Sequence, residues 1–303
     1  MTPDQRTVFG EDAETYDRVR PEYPAALLDT IVAGTGVRPR DRVLEVGAGT
    51  GKATRALVER GWQITCLEPS AEMRRLLAIR CAGLPSVAVS DSFLEGFSSV
   101  EPFRLVFAAQ SWHWTDRSVR YQRVHDLLAP GGWLALVWNT PRRTDRSLDA
   151  DLDVIYRAKA GGLRAREPGA AGVHRGQWSS GDLTDNPLFG VALHWRHDWV
   201  ASYGAADYAQ LLATQSDHLM LDPAVLDGVV REVRRLVERR GGRVSLTYAT
   251  DLFLAQKSAG GGRGLPGSAR QAAADPATVA RTPAKVSTAV GVLSSWVRPP
   301  PAR

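Results

Sequence analysis

DRVLEVGAG, residues 41–49, is a short apolar run that ends in alternating glycines. Such a run, bounded by turn residues, reads as a buried strand that delivers the chain into a tight turn. TGKATRALVERG (50–61) follows with helical spacing and stops at Gly61. The alternation then repeats. WQITCLEPS (62–70) reads as a strand and AEMRRLLAIRCAG (71–83) as a helix. SVAVSDS (86–92) and FRLVFAAQS (103–111) read as strands, DRSVRYQRVHDLLAPGG (116–132) as a helix ending in a Pro-Gly-Gly turn, and WLALVWN (133–139) as a fifth strand. AALLDTIVAG (25–34) precedes them with helical spacing. Strand–helix repetition of this kind requires a parallel sheet with helices on both faces. Right-handed crossovers bring the loops after successive strands to one sheet edge, where ligands bind in open α/β sheets.

Beyond Asn139 the pattern loosens. SLDADLDVIYRAKAGG (147–162), YGAADYAQLLAT (203–214) and PAVLDGVVREVRRLVERRGG (223–242) read as helices. VALHWRHDWV (191–200) and VSLTYATDLFLAQK (244–257) alternate like strands and are expected to close the sheet. From Ser258 the chain is rich in Gly, Ala, Pro and Ser, a composition expected to stay disordered, with VSTAVGVLSSWV (286–297) as its one segment able to dock.

The chain has 303 residues and a net charge of +5. That charge belongs to the tail: after Lys257 six basic residues, Arg263, Arg270, Arg281, Lys285, Arg298 and Arg303, face Asp275 alone, so residues 1–257 are neutral. A nucleic-acid enzyme carries its basic patch on the folded body, so the balance argues against nucleic-acid substrates. No apolar run is long enough to span a membrane, and the polar, acidic N-terminal segment lacks the features of a secretory signal. Cys66 and Cys81 are isolated thiols without metal-ligand spacing, which suits a reducing cytoplasm, and no metal site is expected.

VGAGTGKAT (46–54) decides what kind of ligand the first loop takes. A phosphate-binding P-loop needs glycine where Val46 stands and a hydroxyl residue where Ala53 follows Lys52, so both ends of that motif fail. The dinucleotide fingerprint fails at its third glycine, where Lys52 stands. What remains is Glu45 beside Gly47, Gly49 and Gly51, glycines whose missing Cβ atoms let backbone lie against a ligand. A carboxylate there disfavours pyrophosphate and favours an ammonium or sulfonium group. Glu68, ending the second strand, has the acceptors to take both hydroxyl protons of a ribose; the competing reading is a carboxylate placed at a helix N-terminus. Asp91, ending the third strand, has an acceptor for an adenine amino group with Phe93 or Leu94 over the ring, against the ordinary role of Asp as a turn residue.

With these elements in order the sequence resembles class I S-adenosylmethionine-dependent methyltransferases. The resemblance rests on VLEVGAGTGKATRAL, CLEPS, VSDSF, FAAQSWHW and LLAPGGWLALVWN, and covers about residues 9–257. YDRVRPEYP (16–24) resembles the N-terminal segment that covers the cofactor pocket in trans-aconitate-type, small-molecule members, in the broad methyltransferase type 11-like group. The resemblance implies an α/β fold: a Rossmann-like, seven-stranded, mostly parallel sheet with the last strand antiparallel and a helical cap insertion. It implies a domain over 1–257 with a lid at 1–35 and cap elements at 140–243, and a separate tail at 258–303. It further implies that Gly47, Gly49 and Gly51 line the methionine part of S-adenosylmethionine and that Glu45 faces its amino group. Glu68 would bind the ribose, Asp91, Ser92 and Phe93 the adenine, and Gln110 the sulfonium region, while Tyr16 and Arg20 close over the site, Arg20 on the cofactor carboxylate.

The implied reaction is methyl transfer to a small molecule, chiefly O-methylation of a secondary metabolite or organic acid by attack on the sulfonium methyl, releasing S-adenosylhomocysteine. A general base helps when the acceptor is a hydroxyl, and His113 in QSWHWTD is the candidate; the alternative is that it packs between Trp112 and Trp114. His174, His194, His197 and His218 fall where substrate walls form, whereas His125 falls on a helix surface. Trp112, Trp114, Trp138, Trp178, Trp195, Trp199 and Tyr203 are mostly core residues, with a few left to line an apolar pocket. WNTPRR (138–143) is not the Asn/Asp-Pro-Pro-aromatic motif of amino-methylating enzymes. Two other readings stay open on the residues alone: an S-adenosylmethionine-binding protein with a different reaction, and a nicotinamide-dependent oxidoreductase. Oligomeric state is left open.

Overall fold

The computed structural model describes residues 13–142, 145–161, 163, 181–215 and 217–259. The first twelve residues of the expected lid, His174, Trp178 and the tail from residue 260 with its 286–297 segment lie outside the described residues. The strands are β1 (Arg42–Val46), β2 (Gln63–Leu67), β3 (Val87–Ser90), β4 (Phe103–Ala109), β5 (Leu128–Arg142), β6 (Phe189–Gly204) and β7 (Arg243–Lys257). The helices are α1 (Ala13–Val19), α2 (Ala25–Thr35), α3 (Lys52–Val58), α4 (Ala71–Arg80), α5 (Arg120–Leu127), α6 (Arg146–Lys159), α7 (Gly181–Thr184), α8 (Ala205–Ala213) and α9 (Pro223–Arg239).

The seven strands form one sheet in the order β3-β2-β1-β4-β5-β7-β6. β1 to β5 are parallel, and β7 runs antiparallel to both β5 and β6. Strand periodicity sorts the core into two faces. Val43, Leu105, Phe107, Ala135 and Val137 point to the side packed with Leu27 and Ile31 of α2, Leu57 of α3 and Leu77 of α4. Leu44, Val46, Val106, Leu134 and Leu136 point to the other, with Val124 and Leu127 of α5. Helices therefore cover both faces, as the alternation requires.

A third apolar cluster forms the cap. It joins Val19 of α1, Leu152 and Tyr156 of α6, Tyr208 and Leu212 of α8 and Val233 and Val237 of α9 to Leu246 and Tyr248 of β7. The start of β7 is the part that pairs with the carboxyl end of β5, Arg142 opposite Thr247, so this cluster stands over the ligand edge of the sheet. The expected cap span 140–243 is not wholly cap: β6 runs through it as a sheet strand, and Leu183 of α7 packs in the second core face.

The chain around Pro130 departs from expectation. The helix stops at Leu127, and Leu128 already pairs with Phe103, so Pro-Gly-Gly lies in a register shift of β5 and not at a helix end. Proline lacks the N–H a helix needs, and Gly131 takes φ +67°, which extends the irregularity without strain. The helix also starts late, at Arg120, because Asp116 accepts from Ser118 N–H (2.8 Å) and builds a turn first. Elsewhere caps set the boundaries: Asp145 accepts from the N–H groups of Ser147 and Leu148 at the start of α6, and Asp222 with Pro223 opens α9.

Candidate functional site

A cavity of about 210 Å³ opens where β1, β2, β4 and β5 end beneath the cap. Its floor is the loop after β1. Gly47 and Gly49 line it with φ of +67° and +60°, values that L side chains rarely adopt. Gly47 and Ala48 donate their N–H groups to the Leu67 carbonyl (2.8 and 3.0 Å), which stitches the loop to the end of β2. A Cβ on Gly47 would stand 2.5 Å from Ser111 Cβ, whose hydroxyl donates to the Val46 carbonyl. A Cβ on Gly49 would meet nothing within 4 Å, because that position faces the open cavity. Gly51 departs from expectation. It does not line the cavity; it precedes α3 with φ +88°, and a Cβ there would meet Leu77 at 2.8 Å, so its glycine serves packing of α3 on α4.

Glu68 is buried in the cavity wall and ties two elements together. One carboxylate oxygen accepts from Gly49 N–H (2.7 Å) and the other from Ser70 N–H (2.8 Å). Burial pushes its carboxyl above the usual range, opposed by those two N–H groups and by Arg74. Glu68 thus organises a helix start and also lines the cavity. Glu45 is buried (2% exposed) and accepts from Thr54 Oγ1 at 2.6 Å. Burial pushes its carboxyl up to about 7, with the Thr54 and Cys66 contacts opposing the rise and the Glu68 charge adding to it.

Gln110 follows β4 with φ +57°, rare for a residue with a side chain. Its Nε2 donates to the Asn139 carbonyl (2.7 Å), while Oε1 is buried in the cavity wall and has no hydrogen-bond partner among the described residues. Ser92 and Phe93 line the cavity, but Asp91 does not. It is exposed beside the cavity, in a shallow depression shared with Ser92, Phe93 and Trp114, because β3 ends at Ser90 and the following turn carries Asp91 outward.

The segment 16–23 straps the cavity. Thr50 Oγ1 donates to Asp17 (2.6 Å), Asp17 also pairs with Arg80, and Lys52 pairs with Glu22 (3.0 Å). Tyr16 and Arg20 both line the cavity. Arg20 is already occupied: Nε and Nη2 donate to the hydroxyl (3.1 Å) and carbonyl (2.6 Å) of Thr214, and its guanidinium lies over the Tyr16 ring at 4.9 Å. Its expected salt bridge to a ligand carboxylate therefore has to share the guanidinium with Thr214.

His113 lines the cavity within a short 3-10 turn, Trp112–Trp114. The expected sandwich between tryptophans is not formed. Trp112 turns into the core against Tyr121 (centroids 5.3 Å), and the Trp114 ring meets the His113 ring at 4.7 Å. The other described histidines are used elsewhere. His194 pairs with Asp251 (2.7 Å), His197 stacks on Trp195, His218 is buried against Tyr156 OH (2.6 Å), and His125 is half-buried edge-on to Phe189. None of them lines the cavity. Of the described tryptophans, Trp114 alone does so.

Sequence reading missed Tyr23, Asn139, Gln215 and Tyr248, all of which line the cavity. Asn139 carried a readable signal as a polar residue closing an apolar strand. Its Nδ2 donates to the Glu22 carbonyl (3.2 Å) and its Oδ1 accepts from Thr250 (2.6 Å), so it ties strap to sheet. Gln215 and Tyr248 carried none, because the cap fold alone brings them to the ligand edge.

This arrangement defines an α/β domain with an acidic cradle at the strand ends and no phosphate clamp. Residues 43–132 match the family model of a methyltransferase domain. An uncharacterized methyltransferase of Mycobacterium tuberculosis is 38% identical over 137 residues, 45% of this chain and 54% of that protein. An uncharacterized methyltransferase-like protein of Schizosaccharomyces pombe is 32% identical over 138 residues, 44% of this chain and 51% of that protein. A solved structure from Anaeromyxobacter dehalogenans, provisionally described as a type II methyltransferase, covers 78% of this chain and 97% of its own at 20% identity and a TM-score of 0.56, which shows the shared fold. The chain spans about half the length of the curated relatives it matches. The match over residues 43–132 is to a methyltransferase domain, and S-adenosylmethionine is the cofactor it implies. The residues present fit that cofactor: an open glycine cradle at Gly49, a buried unpaired acceptor at Gln110, and carboxylates where a cation and a ribose would lie.

Two outcomes follow from the loop and the carboxylates. Gly49→Ala adds a methyl group to the cavity and lowers S-adenosylhomocysteine affinity, whereas Gly51→Ala strikes Leu77 and lowers unfolding free energy more than affinity. Each carries about 1–2 kcal/mol of left-handed backbone strain besides, and urea titration set beside calorimetry separates the two effects. Glu45 is the second case. Its folded pKa lies above its unfolded value, so its stabilising contribution is present below about pH 4.5 and lost as pH rises through about 7. Glu45→Gln keeps the acceptor for Thr54, and its unfolding free energy relative to wild type should rise by roughly 1–3 kcal/mol between pH 5 and pH 8, read from denaturant curves at the two pH values.

Proposed function

We propose that the chain transfers a methyl group from S-adenosylmethionine to an oxygen atom of a small molecule. The observation that carries this reading is the Gly49–Glu68 pairing, a glycine N–H held on the carboxylate that faces the cavity, with buried Glu45 behind the same loop. A pyrophosphate would meet two carboxylates there; an uncharged ribose and an ammonium group meet acceptors. The domain extends over 1–257, with the tail apart from it, and works in the cytoplasm. The neutral body supports a small-molecule partner over nucleic acid, and among the described residues no helix is long and apolar enough to cross a membrane.

When bound, the cofactor supplies a strongly electrophilic methyl group. The chain's own residues then have three tasks. Gly47 and Gly49 let backbone approach the methionine portion, with Glu45 and Gln110 Oε1 as acceptors and Tyr16 and Arg20 closing above. Glu68 takes the ribose hydroxyls, and Ser92 and Phe93 flank the adenine, with Asp91 beside them at the cavity's margin. The strap through Asp17, Glu22 and Asn139 excludes water and holds the acceptor in line, and such orientation supplies about 7–11 kcal/mol of a barrier in favourable cases. His113 stands on the same cavity to take the proton of a hydroxyl acceptor.

Calorimetric titration with S-adenosylmethionine, S-adenosylhomocysteine and NADH tests the reading. Micromolar binding of the adenosyl ligands alone is expected, weakened by about 1–3 kcal/mol in Glu68→Ala; binding of NADH, or of nothing, would sink it. His113→Ala should leave S-adenosylhomocysteine affinity within twofold. Its turnover on a panel of phenols should fall by roughly 10²–10⁴, and an unchanged turnover would remove His113 as the base.

A further inference from the structure

Gln215 is a cavity residue that the proposed chemistry leaves without a task. It follows α8 and is 2% exposed. Its backbone is fully engaged: the N–H donates to Leu212 (3.1 Å), and the carbonyl accepts from His218 and Leu219 (both 3.0 Å). Its carboxamide is not. Oε1 and Nε2 are both shut off from solvent, and neither has a hydrogen-bond partner among the described residues, although the residue lines the cavity. Leaving both ends of a buried amide unmet is costly, and native proteins rarely keep such a group without a use.

The polar groups on this side of the cavity are paired with one another. Arg20 is held on Thr214 and Tyr248 OH on Tyr203 OH (2.9 Å), while behind the wall Tyr156 OH is held on His218. Burial pushes the Tyr23 and Tyr248 phenols above their ordinary range, so both stay neutral. The wall is completed by Leu211. A ligand placed here meets the Arg20 guanidinium already bonded to Thr214, and otherwise neutral groups, apolar surface and one unmet carboxamide. That carboxamide offers a donor and an acceptor side by side. Its complement is a group with an acceptor and a donor side by side, such as a primary amide or a lactam. A carboxylate is all acceptor; it would leave Oε1 facing a negative charge, with Arg20 already tied to Thr214.

Resting on the methyltransferase reading of the same cavity, we propose that Gln215 is the residue that selects the methyl acceptor, and that the acceptor is an uncharged molecule carrying an amide or lactam edge. The selection works by a difference: a group that satisfies both amide atoms gains, and one that satisfies a single atom leaves a buried group unpaired.

Benzamide and benzoate, titrated into the full chain saturated with S-adenosylhomocysteine, test this with probes of equal shape. Wild type should bind benzamide at least about tenfold more tightly than benzoate. Gln215→Met keeps the length and removes both polar atoms; it should abolish that ratio and leave S-adenosylhomocysteine affinity within twofold. The same variant should melt about 3 °C higher, because an unpaired buried amide has gone. Equal binding of the two probes, no binding of benzamide, a preference that survives in Gln215→Met, or a lowered Tm would each overturn the proposal. Failure of S-adenosylhomocysteine to bind wild type is a separate result: it removes the methyltransferase reading, while the Tm comparison still reports on the unpaired amide.

Discussion

The site depends on one carboxylate being held at both oxygens. Glu68 joins Gly49 in the loop after β1 to Ser70 at the start of α4. The loop after β1 has few side chains with which to hold itself, and its three glycines take positive φ, so its shape depends on partners outside it. Leu67 and Glu68 supply them, from the end of the neighbouring strand. The same residues that would bind a ligand therefore first bind the protein. A buried carboxylate satisfied by two backbone N–H groups tolerates its position, and its remaining lone pairs face the cavity.

The strap is the second constraint. Asp17, Glu22 and Arg20 attach residues 16–23 to the glycine loop, to Lys52 and to the cap. Asn139 adds a tie from the centre of the sheet, and through Thr250 it reaches Trp199 on the edge strand. Surface ion pairs of this kind contribute little singly. Their value here is positional, because each end lies on a different element and the cavity is what they enclose. Apolar contacts fix the strap as well, because Val19 is buried in the cap cluster and Tyr23 packs against the first core face.

Much of the fold was legible because its signals are local. Apolar runs at β1, β2 and β4 and the alternation with helices follow from side-chain period, and the glycines of 47–51 announce a turn. Glu45, Glu68 and Gln110 were legible for the same reason: each stands at or just after the end of a strand, and parallel strands bring their ends to one edge. The failures were also physical. Gly51 and Asp91 follow strand ends by five residues and one residue, and a turn of a few residues decides whether a position faces the cavity, a neighbouring helix or solvent. Pro130–Gly132 carried a turn signature that served equally well as a strand irregularity.

The sequence by itself determined the parallel sheet, the acidic and phosphate-free character of its ligand edge, and the region of the chain that supplies it. Hydrophobic period and glycine placement act over a few residues, and no distant contact is needed to state them. The tertiary structure alone decided that Arg20 meets Thr214, that Asn139 ties the strap, and that Gln215 lines the cavity with its amide unmet. Those pairings span 117 to 194 residues along the chain where they are formed. They arise only after the cap helices have buried their apolar faces on β7, and nothing in the local pattern of any one segment specifies its partner.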